Sequence, residues 1–300
     1  MITTVWQKSP SGILSPIGNQ TNKTRTDSET YLKIKEKAIE LEQFYEESGV
    51  HIPEGCGLSK LIVSSKILSD AWLTGEIDEL PNIHLWRSAH LTRVSDSIFT
   101  LKHEKELKLY LKKLTDGSLD LLQRDKSEAK NFLWELELLY ILRSHGVSSK
   151  LKEPPDIVST FKDTKIGIAC KKVYSEKNFE KVLSNGVSQI EREYDFGIIA
   201  INIDDLAPAD ALFSCDSYKD MGNKISDINM TFLQKHERHF RKYLSSGRLL
   251  SCLVSTGVVA DIKNERVRLN NGRQTTAWMI PGLSKEKELV FRDFHKQIMS

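Results

Sequence analysis

The spacing of apolar residues predicts that the first part of the chain is mainly helical. Between residues 28 and 47, apolar side chains recur three and four positions apart, which is the spacing of one helix face. Residues 58–73 predict a second helix, and residues 83–113 predict one or two more. Residues 1–27 are rich in Ser, Thr, Asn, Gly and Pro, a composition typical of a flexible or loosely docked arm.

A different pattern begins near residue 128. The segment from Phe132 to Leu142 is apolar nearly all round, which is typical of a buried helix, and Gly146 is a favoured terminator. Two acids, Glu135 and Glu137, lie inside this apolar segment. A buried carboxylate must be paired, bind a metal or face a cleft. The alternative is that one acid faces solvent and the other pairs with an arginine such as Arg143.

Two strands are predicted next, and they deliver an acid and a lysine. Asp156 follows a double proline at the start of the first strand, and Lys171 ends the second. Because strand side chains alternate between faces, Ala169 and Lys171 point one way and Ile168 and Cys170 the other. An acid and a lysine on neighbouring strands could form a functional site, and an alanine at 169 is chemically unexpected in such a site.

The rest of the chain continues to alternate between helices and strands. Helices are predicted at 176–194, 223–245 and 291–299, and strands at 196–203 and 249–259. A hairpin is predicted over 267–279, turning at Asn271-Gly272.

This order of elements predicts an α/β fold, a mixed central β-sheet flanked by helices and preceded by a mainly helical N-terminal region. The predicted parts are a flexible arm at 1–27, a helical region at 28–125 and a domain at 126–300.

Composition is that of a soluble protein, with 39% hydrophobic and 28% charged residues and a net charge of +2. This mild basicity permits a nucleic-acid partner without requiring one. No apolar run approaches the ~20 residues of a membrane span, and no signal peptide is evident. The four cysteines are scattered, which favours reduced thiols and a cytoplasmic location over a disulfide framework.

Phosphodiester hydrolysis requires a divalent cation held mostly by carboxylates, together with a group that orients water or stabilises the transition state. A lysine beside the metal can serve as that group. Glu135, Asp156 and Lys171 supply two acids and a lysine on three successive predicted elements.

These residues resemble the core of the PD-(D/E)XK nuclease superfamily, the restriction-endonuclease-like fold. Glu135 matches the helix glutamate of that family, with Glu137 as the fallback, and Pro155-Asp156 matches its Pro-Asp pair. Residues 168–172, Ile-Ala-Cys-Lys-Lys, resemble the family's Ile-Glu-Cys-Lys-Arg. Gln189 lies where many members carry a helix glutamine, and the likeness covers residues 128–205.

The resemblance implies a nuclease that uses Mg²⁺ or Mn²⁺, favours DNA over RNA and acts in bacterial or phage defence or restriction. It implies that Asp156, residue 169, the carbonyl of Cys170 and Glu135 hold the metal. Lys171 and Gln189 would complete the catalytic residues. The helical N-terminal region would then bind a partner protein or a second copy of the chain.

Ala169 departs from the family, which carries Glu or Asp at this position as a metal ligand. Alanine removes an anionic ligand, so metal affinity and hydrolysis should both suffer. One explanation is that the acid of an active nuclease has been changed to inactivate it, which the retention of Lys171 favours. The other is a natural pseudonuclease that binds nucleic acid or a protein without cutting.

A second candidate feature is a set of basic side chains that could line a groove for a nucleic-acid backbone. They are Lys172, Lys177, Arg238, Arg241, Lys242 and Arg248. A plain exposed helix explains most of them equally well. His236 and His239 lack the spacing of a metalloprotease helix, so we interpret their segment as a solvated or phosphate-contacting face.

Overall fold

A computed structural model describes residues 5–8, 12–17, 31–121, 123–207, 213–264, 269–280 and 282–298. Two short strands, β1 (Val5–Lys8) and β2 (Leu14–Ile17), form an antiparallel pair. The helical region follows, with α1 (Tyr31–Glu47), α2 (Gly57–Thr74), α3 (Asn82–Phe99) and α4 (Leu107–Thr115). The segment 83–113 is thus two helices, one of the two outcomes that the sequence left open.

The second part contains the central sheet and its helices. Its elements are α5 (Glu128–Ser144), β3 (Ser148–Leu151), β4 (Ile157–Phe161), β5 (Thr164–Lys172), α6 (Phe179–Glu191), β6 (Phe196–Asn202), β7 (Phe213–Cys215), α7 (Tyr218–Lys235), α8 (Glu237–Leu244), β8 (Ser251–Ile262), β9 (Leu269–Trp278) and α9 (Lys285–Ile298).

The central sheet is mixed, as predicted. Its order is β3-β4-β5-β6-β8-β7, with β9 paired to β8. β3 to β5 are antiparallel neighbours, whereas β5, β6 and β8 run parallel. Parallel strands need crossover connections, and α6 supplies the one between β5 and β6.

Both faces of the sheet are covered, which explains why β6 is apolar along its length. On one face, α6, α7 and α8 enclose a core that includes Ala169, Val187 and Ile199. On the other face, α5 and α9 pack against Ile168 and Cys170. The predicted alternation along β5 is therefore confirmed.

A third cluster of buried side chains joins α1 to α4 with the first half of α5. Helix α5 thus contributes both to the core of the helical region and to the core beneath the sheet. The division into residues 28–125 and 126–300 stays a prediction.

The described parts of the predicted N-terminal arm pack against the sheet. Ile13 is buried, and Leu14 exchanges backbone hydrogen bonds with Met279. The remainder of the arm lies outside the described residues.

The predicted hairpin turn at Asn271-Gly272 is wrong. Both residues lie within β9, where they pair with Val259 and Val258. A side chain at Gly272 would place its Cβ 2.5 Å from the sulfur of Met221. Close approach of α7, rather than a turn, explains this glycine.

The predicted helix over 223–245 is also corrected. It begins earlier, at Tyr218, and is divided at His236 into α7 and α8. The terminal helix likewise begins earlier than predicted, at Lys285. None of the helices in the described ranges is long and apolar enough to cross a membrane.

Candidate active site

The register of β4 against β5 brings Asp156 beside the end of β5. Ile157 pairs with Ile168 in an antiparallel ladder, so the preceding Asp156 lies opposite Ala169 on the same face. The Oδ2 atom of Asp156 accepts a hydrogen bond from the backbone N–H of Cys170 at 2.5 Å. It also accepts one from the Lys171 ammonium at 3.1 Å. The predicted acid and lysine are therefore in direct contact.

Glu135 lies on α5, close enough to Asp156 and Lys171 to interact electrostatically with both. Burial raises the pKa of Glu135 well above its ordinary value, the charge of Asp156 raises it further, and Lys171 opposes both effects. The carboxyl group has no hydrogen-bond partner among the described residues. These conditions favour its protonated form.

Glu137 faces a different environment from Glu135. It is buried and accepts hydrogen bonds from the guanidinium groups of Arg93 and Arg273. The alternative that one of the two glutamates pairs with an arginine is therefore confirmed for Glu137, although the named example, Arg143, instead pairs with Glu104 at 2.5 Å. Of the two glutamates, Glu135 is therefore the one that interacts with Asp156 and Lys171, whereas Glu137 belongs to a separate charge network.

Ala169 is fully buried within the apolar cluster beneath α6. Its methyl group leaves two side-chain carboxylates at the site, those of Glu135 and Asp156. The first favours a proton, and the second is occupied by an N–H and an ammonium group. Within the described residues, no group of three or more His, Cys, Asp or Glu side chains is arranged to hold a metal ion. Without an acid at residue 169, the described residues supply two of the carboxylates that the resemblance implies for the metal, those of Glu135 and Asp156.

Gln189 lies on α6, the helix that covers Lys171. A side chain at Gly186 would place its Cβ 2.6 Å from Ile199 and 3.4 Å from the Cε atom of Lys171, so the missing side chain allows the lysine to pass against the helix. Gln189 follows three residues later, on the same side of α6. Its Oε1 atom is buried without a hydrogen-bond partner among the described residues.

The predicted basic groove is only partly available. Lys172 is wrong as a groove residue, because its side chain is 4% exposed and pairs with Asp205 at 2.5 Å. Arg241 and Arg248 form ion pairs with Glu237 and Glu191. Lys177 and Arg238 are exposed. Lys242 is also exposed, and it lines one open pocket together with Lys177 and Lys181, where it lies 3.5 Å from Glu180.

His236 also differs from expectation. It is buried, packs against the rings of Phe179 and Phe232, and contacts Glu176 at 2.8 Å. Burial lowers its pKa below the ordinary value, although Glu176 opposes this effect. The prediction of a solvated or phosphate-contacting histidine is therefore wrong for His236, which is part of the helix packing.

A buried charge network was missed from the sequence. Asp204 follows β6 and binds Arg93 at 2.7 Å, Arg273 at 3.2 Å and the N–H of Gly257 at 2.6 Å. Together with Glu137, these groups form two cations and two anions between α3, α5 and β9. Burial alone would raise the pKa of Asp204, but the two arginines hold it well below its ordinary value. Acids directly after an apolar strand were the available signal.

Comparison of the chain with protein-family models, curated proteins and solved structures finds no match. The resemblance to the nuclease superfamily therefore depends on the residues and their arrangement.

Proposed function

We propose that this chain carries the site of a metal-dependent nuclease that lacks one of its metal-binding carboxylates. The supporting observation is the convergence of Glu135, Asp156 and Lys171 at one edge of the sheet, with Lys171 3.1 Å from Asp156. These are the acids and the lysine that phosphodiester hydrolysis requires. They also follow the family's order along the chain.

The position of Ala169 identifies the missing group. A side chain at 169 shares its face with Asp156 and lies across the strand pair, where Cβ atoms are ~5 Å apart. A longer acid at this position would bring a second carboxylate to Asp156. In the present chain, Lys171 takes the neutralising role and holds the Asp156 charge.

Ala169→Glu should therefore confer cleavage of DNA in the presence of Mg²⁺ or Mn²⁺. The assay compares labelled single-stranded and double-stranded DNA and RNA with and without metal. The resemblance favours DNA as substrate and defence or restriction as the setting.

The matched control is Ala169→Gln, which adds the same bulk to the buried position without adding a charge. It should remain inactive while folding as well as the glutamate variant. In the glutamate background, Lys171→Ala should abolish cleavage. Folded Ala169→Glu protein that cuts none of the substrates would contradict the proposal.

A second candidate function is a non-catalytic nucleic-acid-binding module on the same fold. The complete burial of the Ala169 methyl in an apolar cluster favours it, because residue 169 then packs as a core side chain. The unmodified chain would then bind DNA with an affinity that falls steeply with salt and is indifferent to Mg²⁺. Cleavage by Ala169→Glu would favour the first candidate instead.

The proposal places the protein in the cytoplasm, consistent with four cysteines that form no disulfide. It also assigns the helical N-terminal region to contacts with a protein partner or a second copy.

A further inference from the structure

The outward side of α1 and α2 carries apolar residues between ordered charges. Two ion pairs cross between the helices, Lys35 to Asp70 at 2.6 Å and Lys66 to Glu42. Because positions 35 and 42 meet positions 70 and 66, the helices run antiparallel. These residues define what we term the α1/α2 outer face.

Exposed apolar side chains lie between and beyond the two ion pairs. They are Leu32, Ile39, Val63, Ile67 and Leu73. Residues 32, 35, 39 and 42 follow the three-and-four spacing of one helix face, and 63, 66, 67, 70 and 73 follow it on α2. Val63 and Leu73 are 49% and 62% exposed. Single exposed apolar residues are ordinary, but a row of them marks an interaction surface.

We propose that this face binds a second copy of the same chain. The order of groups is symmetric about its centre, where Ile39 and Ile67 lie between one ion pair on each side. In a two-fold dimer, the same patch meets itself. Whether such a dimer is favourable therefore depends on which charges of the two copies face each other.

Both two-fold arrangements place opposite charges together. With the axis parallel to the helices, Lys35 of one copy faces Asp70 of the other, and Glu42 faces Lys66. With the axis perpendicular to the helices, Lys35 faces Glu42, and Lys66 faces Asp70. In either case the isoleucines meet at the centre. A partner of unrelated sequence would need to reproduce this pattern, whereas a second copy carries it already.

The size of the face indicates a weak dimer. Helices of 17 and 18 residues are about 25 Å long and together about 20 Å wide, or ~500 Å² for each copy. The total of ~1,000 Å² lies at the low end of specific interfaces. We therefore expect association that depends on protein concentration.

Sedimentation velocity of the full chain over a concentration series tests this inference. The unmodified protein should shift toward the dimer as concentration rises. Ile67→Glu should weaken the dimer at least about tenfold, since it places an unpaired charge at the centre of the interface. The matched control is Leu289→Glu on α9, which changes an equally apolar residue that is 54% exposed outside the face. It should leave association unchanged.

A charge-inverted variant tests the symmetry itself. Exchanging the charges at all four positions (Lys35→Asp, Asp70→Lys, Lys66→Glu, Glu42→Lys) preserves both intrachain pairs. It also preserves the pairing of like copies in either arrangement. This variant should dimerise with itself but should not bind labelled, unmodified chain, because like charges then face each other.

Three results would overturn the inference. The first is an unmodified chain that stays monomeric at every concentration. The second is Leu289→Glu reducing association as much as Ile67→Glu. The third is the charge-inverted variant binding the unmodified chain as well as it binds itself.

Discussion

Replacing Glu137 with glutamine removes one of the two anions in the buried network between α3, α5 and β9. The carboxylate accepts hydrogen bonds from the Nε and Nη2 atoms of Arg93, the latter at 3.0 Å, and from Nη2 of Arg273 at 2.9 Å. An amide keeps one acceptor atom and presents an NH₂ group to donors. At least one guanidinium N–H then loses its acceptor.

The expected loss of stability follows from burial. Glu137 is 4% exposed, and the arginines are 16% and 17% exposed, so water cannot replace the missing acceptor. Breaking a buried ion pair costs about 3–5 kcal/mol. Because Asp204 still contacts both arginines, we expect the low end, ~3 kcal/mol. This is a large part of the 5–15 kcal/mol that stabilises a typical protein.

Glu135→Gln, two residues earlier on α5, is the matched control. Glu135 has no hydrogen-bond partner among the described residues, and its raised pKa already favours the neutral form. Its replacement should change the free energy of unfolding at pH 7 by no more than ~1 kcal/mol, or increase it. Urea unfolding of both variants measures the contrast. A loss below ~1 kcal/mol for Glu137→Gln, or an equal loss for Glu135→Gln, would refute the assigned roles.

Comparing Glu135→Gln with the unmodified chain also predicts how the free energy of unfolding depends on pH. Because the folded pKa of Glu135 is raised, the unfolded chain releases this proton first, starting near the ordinary value of 4.5. Ionisation therefore lowers stability as pH rises from 4.5 toward the folded pKa. The advantage of Glu135→Gln over the unmodified chain should grow across that window and vanish below it.

Three further predictions concern other buried groups. Burial lowers the pKa of His295 from 6.5 to about 4. The free energy of unfolding should therefore fall as pH drops from 6.5 to about 4. Acid unfolding curves of His295→Phe should lack up to ~3 kcal/mol of this fall. Lys172→Met should lower the free energy of urea unfolding by ~3 kcal/mol because it leaves Asp205 unpaired. The double variant Lys172→Met/Asp205→Leu should recover part of that loss. An equal loss in the single and the double variant would contradict the ion pair. Gly186→Ala should lower the thermal midpoint only slightly, with a net cost of ~0–2 kcal/mol. Its new Cβ would displace the terminal methyl of Ile199 at a cost of ~1–3 kcal/mol, whereas alanine recovers ~1 kcal/mol of helix propensity. A raised midpoint would contradict the close packing.

The central part of the fold could be predicted from the sequence because its signals are local. The all-apolar helix, the alternation along β5 and the apolar β6 each report burial within one element. The order Glu135, Asp156, Lys171 is also carried by short segments. The local sequence pattern therefore predicted which helix and strands carry Glu135, Asp156 and Lys171.

Partners distant in sequence could not be predicted in this way. Glu137 lies 44 residues from Arg93 and 136 from Arg273, and either arginine could equally have been a surface residue. The turn at Asn271-Gly272 failed for the related reason that pairing with β8 overrides a local turn preference. The burial of Lys172 likewise depends on an acid from another strand end.

The most direct test of the central claim is Mn²⁺ binding at the candidate site, measured by isothermal titration of the unmodified chain, Ala169→Glu and Ala169→Gln. This measurement does not require the substrate to be known. Ala169→Glu should bind one ion at least about tenfold more tightly than the other two proteins, and Asp156→Asn should remove the gain. Equal binding by the glutamate and glutamine variants would contradict the claim that position 169 and Asp156 form one nuclease-type site.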